Sequence, residues 1–306
     1  MVSSRIRTVR APNASAMTLT GTNTYLIDGG GSLLCIDPGP AIPRHVDAIL
    51  QAASSLGGRI EIIALTHAHP DHAPAAAHLA QRSGAQIAAH AESESPHRID
   101  LRDGDVLRAG QAQLLAIETP GHTFDHLAFY EPQERALFTG DAVLGEGYVV
   151  IAPPNGAMRP YQRSLQRLLD EFSQARAIFG GHGERVDDPK AKLLDYLEHR
   201  RIRQEQILDA LRKGPKTIPD LVREIYAGTG RILWPAAARQ LLAYLIALEE
   251  EGTVRSEPAG RAMTPEEYQI LNPSWETIVG PEHARTVEAE LGALLRLDTL
   301  RVYRSN

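Results

Sequence analysis

The segment 66–74, THAHPDHAP, places three histidines and one aspartate within six positions. It follows an apolar, β-branched run that predicts a buried strand. His67 and His69 are two residues apart, so an extended backbone turns both side chains to the same side. Asp71 and His72 begin a helical pattern, and a tight turn would bring them back beside the first pair. Because α/β proteins commonly build ligand sites at strand ends, we expect a site here.

Three further stretches repeat this arrangement of an apolar strand that ends in a glycine-flanked polar side chain. PGHT provides His122, GD provides Asp141 and GHG provides His182. Glycine beside each of these residues permits sharp turns and close backbone approach. The set of five imidazoles and two carboxylates exceeds the needs of one tetrahedral zinc ion and suits two divalent ions that share a bridge. Two such ions about 3.5–4 Å apart can activate water and neutralise a developing oxyanion.

Apolar runs and amphipathic patterns alternate along the first half of the chain. Predicted strands cover 24–27, 33–36, 60–66, 113–119, 126–131, 136–140 and 177–181, and predicted helices cover 43–56 and 72–82. Hairpins mixed with strand–helix units predict a layered α/β domain with a mixed sheet. Near residue 187 the pattern changes to helices at 189–213, 217–227 and 235–250, followed by a short strand. We therefore predict a catalytic domain over 1–188, a small helical domain over 189–256 and an extension of unassigned role over 257–306.

The composition restricts the partners and the location of the chain. The 32 basic and 38 acidic residues give a formal charge of −6, which argues against a whole-surface affinity for nucleic acid. The N-terminal segment has no apolar run of the secretory kind, so we expect a cytoplasmic location. No uninterrupted apolar stretch is long enough to cross a membrane, so no membrane partner is expected.

The motifs THAHPDH, PGHT, GD and GHG, in this order, resemble those of the metallo-β-lactamase superfamily. The resemblance implies that family's αββα sandwich and a pair of divalent ions, with Zn²⁺ expected and Mn²⁺ or iron as alternatives. It assigns the first ion to His67, His69 and His122, the second to Asp71, His72 and His182, and the bridge to Asp141. A metal-bridging hydroxide would be the nucleophile, and the candidate catalytic residues are Asp71, which would orient it, and Asp141.

A closer similarity covers most of residues 17–255. The stretches MTLTGTNTYLI, TPGHTFDHLAFY, GDAVLGEG and YLEHRRIRQEQIL resemble the lactamase-like protein 2 branch, which includes endoribonucleases and unassigned hydrolases. In that branch a winged-helix module follows the catalytic domain, so 189–256 is expected to be winged-helix-like. DHAPAA departs from the glycines that usually follow DH, but Pro74 is acceptable in the first turn of a helix.

Four functions compete. The leading hypothesis is a hydrolase of a small ester, thioester or lactone. The alternative on the same two-metal site is a single-strand endoribonuclease. A metal-sensing regulator that binds DNA is less expected because every ligand position is filled, and a true β-lactamase is disfavoured by the bridging Asp141. We expect the helical module to pack against the catalytic rim or against a partner subunit of a homo-oligomer.

Polar residues near the ligands are candidates for supporting roles. Asp37, in IDPGP, either orients a metal-bound histidine through its second ring N–H or only builds the turn. Asp125 and His126, in HTFDH, are candidates to support His122. The segment after Asp141 looks loop-like, and a substrate wall is expected there. Its candidate residues, each also compatible with a structural role, are Tyr148, Asn155, Arg159 and Tyr161.

Overall fold

The computed structural model describes residues 5–272, 284 and 299–306, which divide into two compact units. The first unit comprises Met1–Val149 and Ser164–Leu194, and the second comprises Val150–Arg163 and Asp195–Asn306. Each unit is therefore assembled from two separate stretches of chain. The predicted boundaries at 188/189 and 256/257 stay predictions.

Two sheets form the first unit. The six-stranded sheet has the order β1 (Ile6–Arg10), β2 (Asn23–Asp28), β3 (Ser32–Ile36), β4 (Arg59–Ala64), β5 (Gln86–His90) and β6 (Ile99–Leu101). The five-stranded sheet has the order β11 (Ala177–Gly180), β10 (Ala136–Gly140), β9 (Leu127–Glu131), β8 (Ala112–Glu118) and β7 (Val106–Ala109). Strands β3 to β6 are parallel to one another, and so are β10 and β11, whereas the remaining pairs are antiparallel.

The alternation of side-chain direction along β2 explains how the layers of the first unit pack. Tyr25 and Ile27 point into an apolar cluster shared with the second sheet, where the Tyr25 ring centroid lies 5.2 Å from that of Phe138. Leu26 points to the opposite face and packs in a cluster with Val46 of α1 (Pro43–Ser55) and with residues of α2 (Ala75–Ser83). Since successive strand residues face opposite sides, one strand serves two cores. The mixed α/β sandwich expected from the sequence is confirmed.

Helix α3 (Met158–Glu171) occupies part of the segment that looked loop-like, so that expectation was wrong for Arg159 and Tyr161. Its buried apolar residues, Met158, Tyr161, Leu165 and Leu168, recur at spacings of three and four, as on one face of a helix. The arginines and glutamines between them mask this stripe in the sequence. Beyond α3, the ring centroid of Phe172 lies 5.2 Å from that of Tyr130 in the second sheet.

Helix α4 (Pro189–Arg212) begins in the first unit and ends in the second. The second unit also contains β12 (Lys216–Thr217), α5 (Ile218–Ile225), a 3₁₀ turn (Arg231–Leu233), α6 (Trp234–Glu250), β13 (Val254–Pro258), α7 (Pro265–Leu271) and β14 (Arg301–Ser305). The strand order is β12-β14-β13, so β14 is the central strand and pairs antiparallel with both neighbours. The segment 257–306, to which the sequence assigned no role, thus supplies the middle of this sheet. Residues 273–283 and 285–298 of this segment lie outside the described residues.

One helical stretch among the described residues, Arg231–Glu250, is long and apolar enough to cross a membrane by length and composition. In the structure 67% of it is buried within the protein. Apolar helices that form the core of a domain pass the same test, and α6 is such a helix, since its residues up to Leu245 are buried.

Candidate metal centre

Four loops of the first unit carry the clustered histidines and aspartates. The loop after β4 carries THAHPDH, and the ends of β8, β10 and β11 are followed by His122, Asp141 and His182. Strands β8, β10 and β11 run in the same direction, because β9 is antiparallel to β8 and β10, and β11 is parallel to β10. Their C-terminal ends therefore meet at one edge of the sheet.

All seven predicted ligand residues meet in two adjoining groups. The first group is His67, His69, His122 and Asp141, and the second is Asp71, His72 and His182; within each group the ligand atoms lie within 4.8 Å of one another. Asp141 faces both groups: its Oδ2 lies 3.7 Å from His122 Nε2 and 3.5 Å from His182 Nε2. Its Oδ1 lies 3.4 Å from His72 Nε2. This is the position that a bridging carboxylate requires.

The donor atoms fit divalent metal ions. Among the described residues, His67 Nε2, His72 Nε2 and Asp141 Oδ1 are buried and have no hydrogen-bond partner. Buried polar atoms are normally hydrogen-bonded, so these three are open to a ligand from outside the protein. A methyl group at Gly181 would lie 2.4 Å from Asp141 Oδ1 and 2.6 Å from His72 Cε1, so only glycine leaves room for the cluster. Imidazole and carboxylate donors suit zinc, manganese and iron.

Two histidines of the first group, His67 and His69, have lowered pKa values, which favour their neutral form. Burial, together with the neighbouring imidazoles, holds the pKa of His67 well below its usual range, and burial and His122 lower the pKa of His69 to about 3. His69 Nδ1 and His122 Nε2 lie 3.0 Å apart. Neutral imidazoles keep the lone pair that a metal ion needs.

In the second group, neighbouring carboxylates raise the pKa values of the histidines. Burial lowers the pKa of His72, but the carboxylates of Asp71, Asp141 and Asp37 outweigh burial and hold that pKa well above its usual range. Burial also opposes protonation of His182, yet the charge of Asp141 and hydrogen bonds to Asp141 and Asp71 raise its pKa to about 10. The carboxylates thus favour positive charge at this position, and a bound cation could supply it in place of protons.

Asp37 connects the two groups through hydrogen bonds. It is buried at the end of β3 in a left-handed conformation with φ 47°. Its Oδ2 accepts hydrogen bonds from His72 Nδ1 at 2.8 Å and from the Thr66 hydroxyl at 2.6 Å. The Thr66 Oγ1 lies 2.9 Å from His67 Nδ1. Asp37 therefore fixes the ring of His72 directly and that of His67 through Thr66, and both Nε2 atoms are left to face the centre.

His126 supports a neighbouring backbone group and is not among the clustered donors. Its Nε2 accepts a hydrogen bond from the Asp141 backbone N–H at 3.2 Å, and its Nδ1 lies 2.7 Å from Thr119 Oγ1. Both ring nitrogens are thus engaged, so His126 positions Asp141. Asp125 is half-buried, and its Oδ2 is a buried atom without a hydrogen-bond partner among the described residues.

The loop before β2 contains supporting residues that the sequence did not reveal. The Thr22 hydroxyl lies 3.3 Å from Asp71 Oδ2, and Asn13 Nδ2 donates to Thr22 Oγ1 at 2.9 Å. The Gly21 carbonyl lies 3.3 Å from His182 Nδ1. The stretch MTLTGTNTYLI carries part of the family resemblance, but nothing in its spacing predicts contact with side chains far along the chain.

The four candidates for a substrate wall lie in different environments. Tyr148 and Asn155 are exposed. In the second unit, Arg159 forms an ion pair with Glu251 at 2.7 Å, and Tyr161 is fully buried beneath Arg200, whose guanidinium carbon lies 5.1 Å from the ring centroid. A fully buried Tyr161 offers no surface to a substrate.

The chain matches two family models, one after the other along the sequence. Residues 17–182 match the metallo-beta-lactamase superfamily, and residues 217–261 match the beta-lactamase associated winged helix domain. The first match spans all seven clustered side chains. The second runs from Thr217, the last residue of β12, to just beyond β13, so the expectation of a winged helix is confirmed.

Individual relatives agree with these matches. A beta-lactamase-like protein 2 homolog of Drosophila melanogaster is 32% identical over 280 residues, which cover 86% of this chain and 92% of the relative. An atrochrysone carboxyl ACP thioesterase of Aspergillus chevalieri is 29% identical over 271 residues, covering 88% of this chain and 80% of the relative.

A crystal structure also shows the same fold. A metallo-beta-lactamase family protein of Thermus thermophilus superposes with a TM-score of 0.70 at 24% identity, over 84% of this chain and 97% of the other. Members of this superfamily typically bind divalent metals, which agrees with the buried cluster of histidine and aspartate donors. The chain is therefore a hydrolase of the metallo-beta-lactamase superfamily that carries the associated winged helix domain.

Proposed function

We propose that this chain uses a pair of divalent metal ions to hydrolyse a small acyl substrate, an ester, thioester or lactone. The observation that carries the proposal is the convergence of seven side chains from four loops, with three buried donor atoms that have no hydrogen-bond partner among the described residues. One ion would be held by His67, His69 and His122 and the other by Asp71, His72 and His182, with Asp141 shared. Zn²⁺ is the metal that we expect.

When bound, the metal pair supplies a water molecule that is deprotonated near neutral pH and neutralises charge on the substrate oxygen. The chain's own residues fix where this happens. Asp141 is the carboxylate that reaches both groups, and His126 holds its backbone. Asp71 is the more accessible carboxylate, with a side chain 22% exposed against 10% for Asp141. We assign to Asp71 the orientation of the attacking water and the acceptance of its proton.

A thioester is the substrate class that the comparisons favour. One relative that spans most of the chain carries the name of a thioesterase. Among the described residues of the second unit, several basic side chains are paired with carboxylates and are less available to RNA. Arg201 pairs with Glu198 and Glu205, Arg212 pairs with Asp209, and Lys213 and Lys216 pair with Glu224. A chain with a formal charge of −6 also lacks the excess of positive charge typical of nucleic-acid binding.

A cytoplasmic location and a small-molecule partner complete the proposal, since acyl thioesters are intracellular carriers of activated acyl groups.

A turnover screen tests the proposal. Zinc-loaded protein, the chelated protein and Asp141→Ala are assayed against acyl thioesters, lactones, a β-lactam and single-stranded RNA. We expect hydrolysis of an acyl substrate by the loaded protein, loss on chelation, recovery on zinc addition and no turnover by Asp141→Ala. Cleavage of RNA alone would favour the endoribonuclease alternative, and duplex DNA binding without turnover would favour a regulator. Full activity of Asp141→Ala would refute its role as the bridge.

A further inference from the structure

We infer that Thr22 is a positioning residue for the second metal ion and that its hydroxyl fixes the carboxylate of Asp71. The inference rests on the proposed function, because it assumes that Asp71, His72 and His182 hold a cation. Thr22 and Asn13 are both buried, and neither belongs to the seven clustered side chains.

The direction of the hydrogen bonds follows from donor chemistry. The Thr22 backbone N–H can only donate, and it donates to Asn13 Oδ1 at 2.9 Å. The other end of the Asn13 amide is therefore the NH₂ group, which donates to Thr22 Oγ1 at 2.9 Å. Because the Thr22 oxygen accepts this bond, its one hydrogen is free to point to Asp71 Oδ2 at 3.3 Å. A carboxylate can accept it, so the chain runs Asn13 to Thr22 to Asp71.

The same loop also orients a second member of the group. Thr22 forms a β-bridge with His182, and Asn23 N–H donates to the Gly181 carbonyl at 2.8 Å. The Gly21 carbonyl faces His182 Nδ1 at 3.3 Å, which directs Nε2 towards Asp71 Oδ2 at 3.1 Å. A side chain at Gly21 is excluded, since its Cβ would lie 2.1 Å from the Ala11 carbonyl oxygen and its φ is +122°.

Loss of the Thr22 hydroxyl should affect metal binding by the two groups differently. Hydrogen-bond partners that orient metal ligands typically change metal affinity by about 10- to 100-fold when they are removed. The Thr22 side chain contacts Asp71 but has no hydrogen bond to His67, His69 or His122 among the described contacts. Loss of the hydroxyl should therefore lower the affinity for the second equivalent of metal by about 10- to 100-fold. The affinity for the first equivalent should stay nearly unchanged.

Four proteins test the inference by zinc titration against a chromophoric chelator. Thr22→Val keeps the shape and removes the hydroxyl, whereas Thr22→Ser keeps the hydroxyl. Thr18→Val is the matched control, because its buried hydroxyl bonds the Asn13 carbonyl in the same loop and does not contact a ligand. Asn13→Asp replaces the NH₂ donor by an acceptor, which would draw the Thr22 hydrogen away from Asp71.

We expect Thr22→Val and Asn13→Asp to bind the first equivalent normally and the second about 10- to 100-fold more weakly, with Thr22→Ser and Thr18→Val close to wild type. Thermal unfolding of each metal-free protein separates this effect from loss of folding; if Thr22→Val does not fold, Asn13→Asp decides. If Thr22→Val or Asn13→Asp binds the second equivalent of zinc with normal affinity, the inference about Thr22 is wrong, whereas the proposed function is unaffected. A wild-type protein that takes up only one equivalent overturns the inference together with the proposed two-metal function.

Discussion

Replacing Asp37 by asparagine tests how the buried hydrogen bonds prepare the centre for metal. The variant keeps the size of the side chain and removes its charge. Thr66 N–H must donate, and in the wild type it donates to Asp37 Oδ1 at 2.8 Å, so the amide oxygen of the variant stays at that position. The new NH₂ group then stands where Oδ2 accepted from His72 Nδ1 at 2.8 Å.

The new NH₂ group and His72 Nδ1–H would both be donors, so no hydrogen bond can form between them. His72 must either lose the hydrogen bond or move its proton from Nδ1 to Nε2, the atom that faces the metal group. Either change lowers the affinity for the second equivalent of zinc by about 10- to 100-fold, which corresponds to about 1.4 to 2.8 kcal/mol of binding free energy. His67 keeps its contact with Thr66, whose oxygen can still accept, so the first equivalent should change by a few-fold at most.

Competitive zinc titration of wild type and Asp37→Asn measures both equivalents. Asp28→Asn is the matched control, since Asp28 also ends a strand and accepts backbone N–H groups, of Gly30 and Gly31, but lies away from the cluster. If Asp37→Asn bound the second equivalent within twofold of wild type, the assignment of Asp37 as the residue that orients His72 would be refuted.

Three more predictions concern other parts of the structure. Gly181→Ala should lose zinc from the second group, because its methyl would overlap two clustered side chains, whereas Gly228→Ala, which meets open space, should bind normally. His122→Ala should lose the first equivalent, and His126→Ala should weaken binding only by about tenfold because it acts through a backbone N–H; equal losses would contradict that ranking. Removing 299–306 takes the central strand from the second unit, so thermal unfolding should show a destabilised unit while both zinc equivalents remain; loss of the metal would connect this strand to the site.

Much of the site could be predicted from the sequence because its signals are local. Each ligand follows an apolar strand and lies beside a glycine or within a dense histidine motif, and the strand ends meet because β8, β10 and β11 run in one direction. The strands predicted at 24–27, 33–36, 113–119, 126–131 and 136–140 are confirmed within one residue of their expected bounds. Local periodicity is sufficient for such elements.

The residues that were missed depend on contacts between distant parts of the chain. Thr22 and Asp71 are 49 positions apart, and no spacing rule connects a threonine in one loop with a carboxylate in another. Strand β14 pairs with β13, and Glu257 and Arg304, which form an ion pair between these strands, are 47 positions apart. The place of β14 in the sheet therefore could not be predicted from the tail alone. Helix α3 was missed for a different reason, since its apolar stripe is interrupted by arginine and glutamine.

Anomalous diffraction from zinc-loaded crystals, recorded on both sides of the zinc absorption edge, tests the central claim most directly. The account predicts two peaks, one contacted by His67, His69 and His122 and one contacted by Asp71, His72 and His182, with the Asp141 carboxylate between them. A single peak, or peaks remote from these side chains, would contradict it.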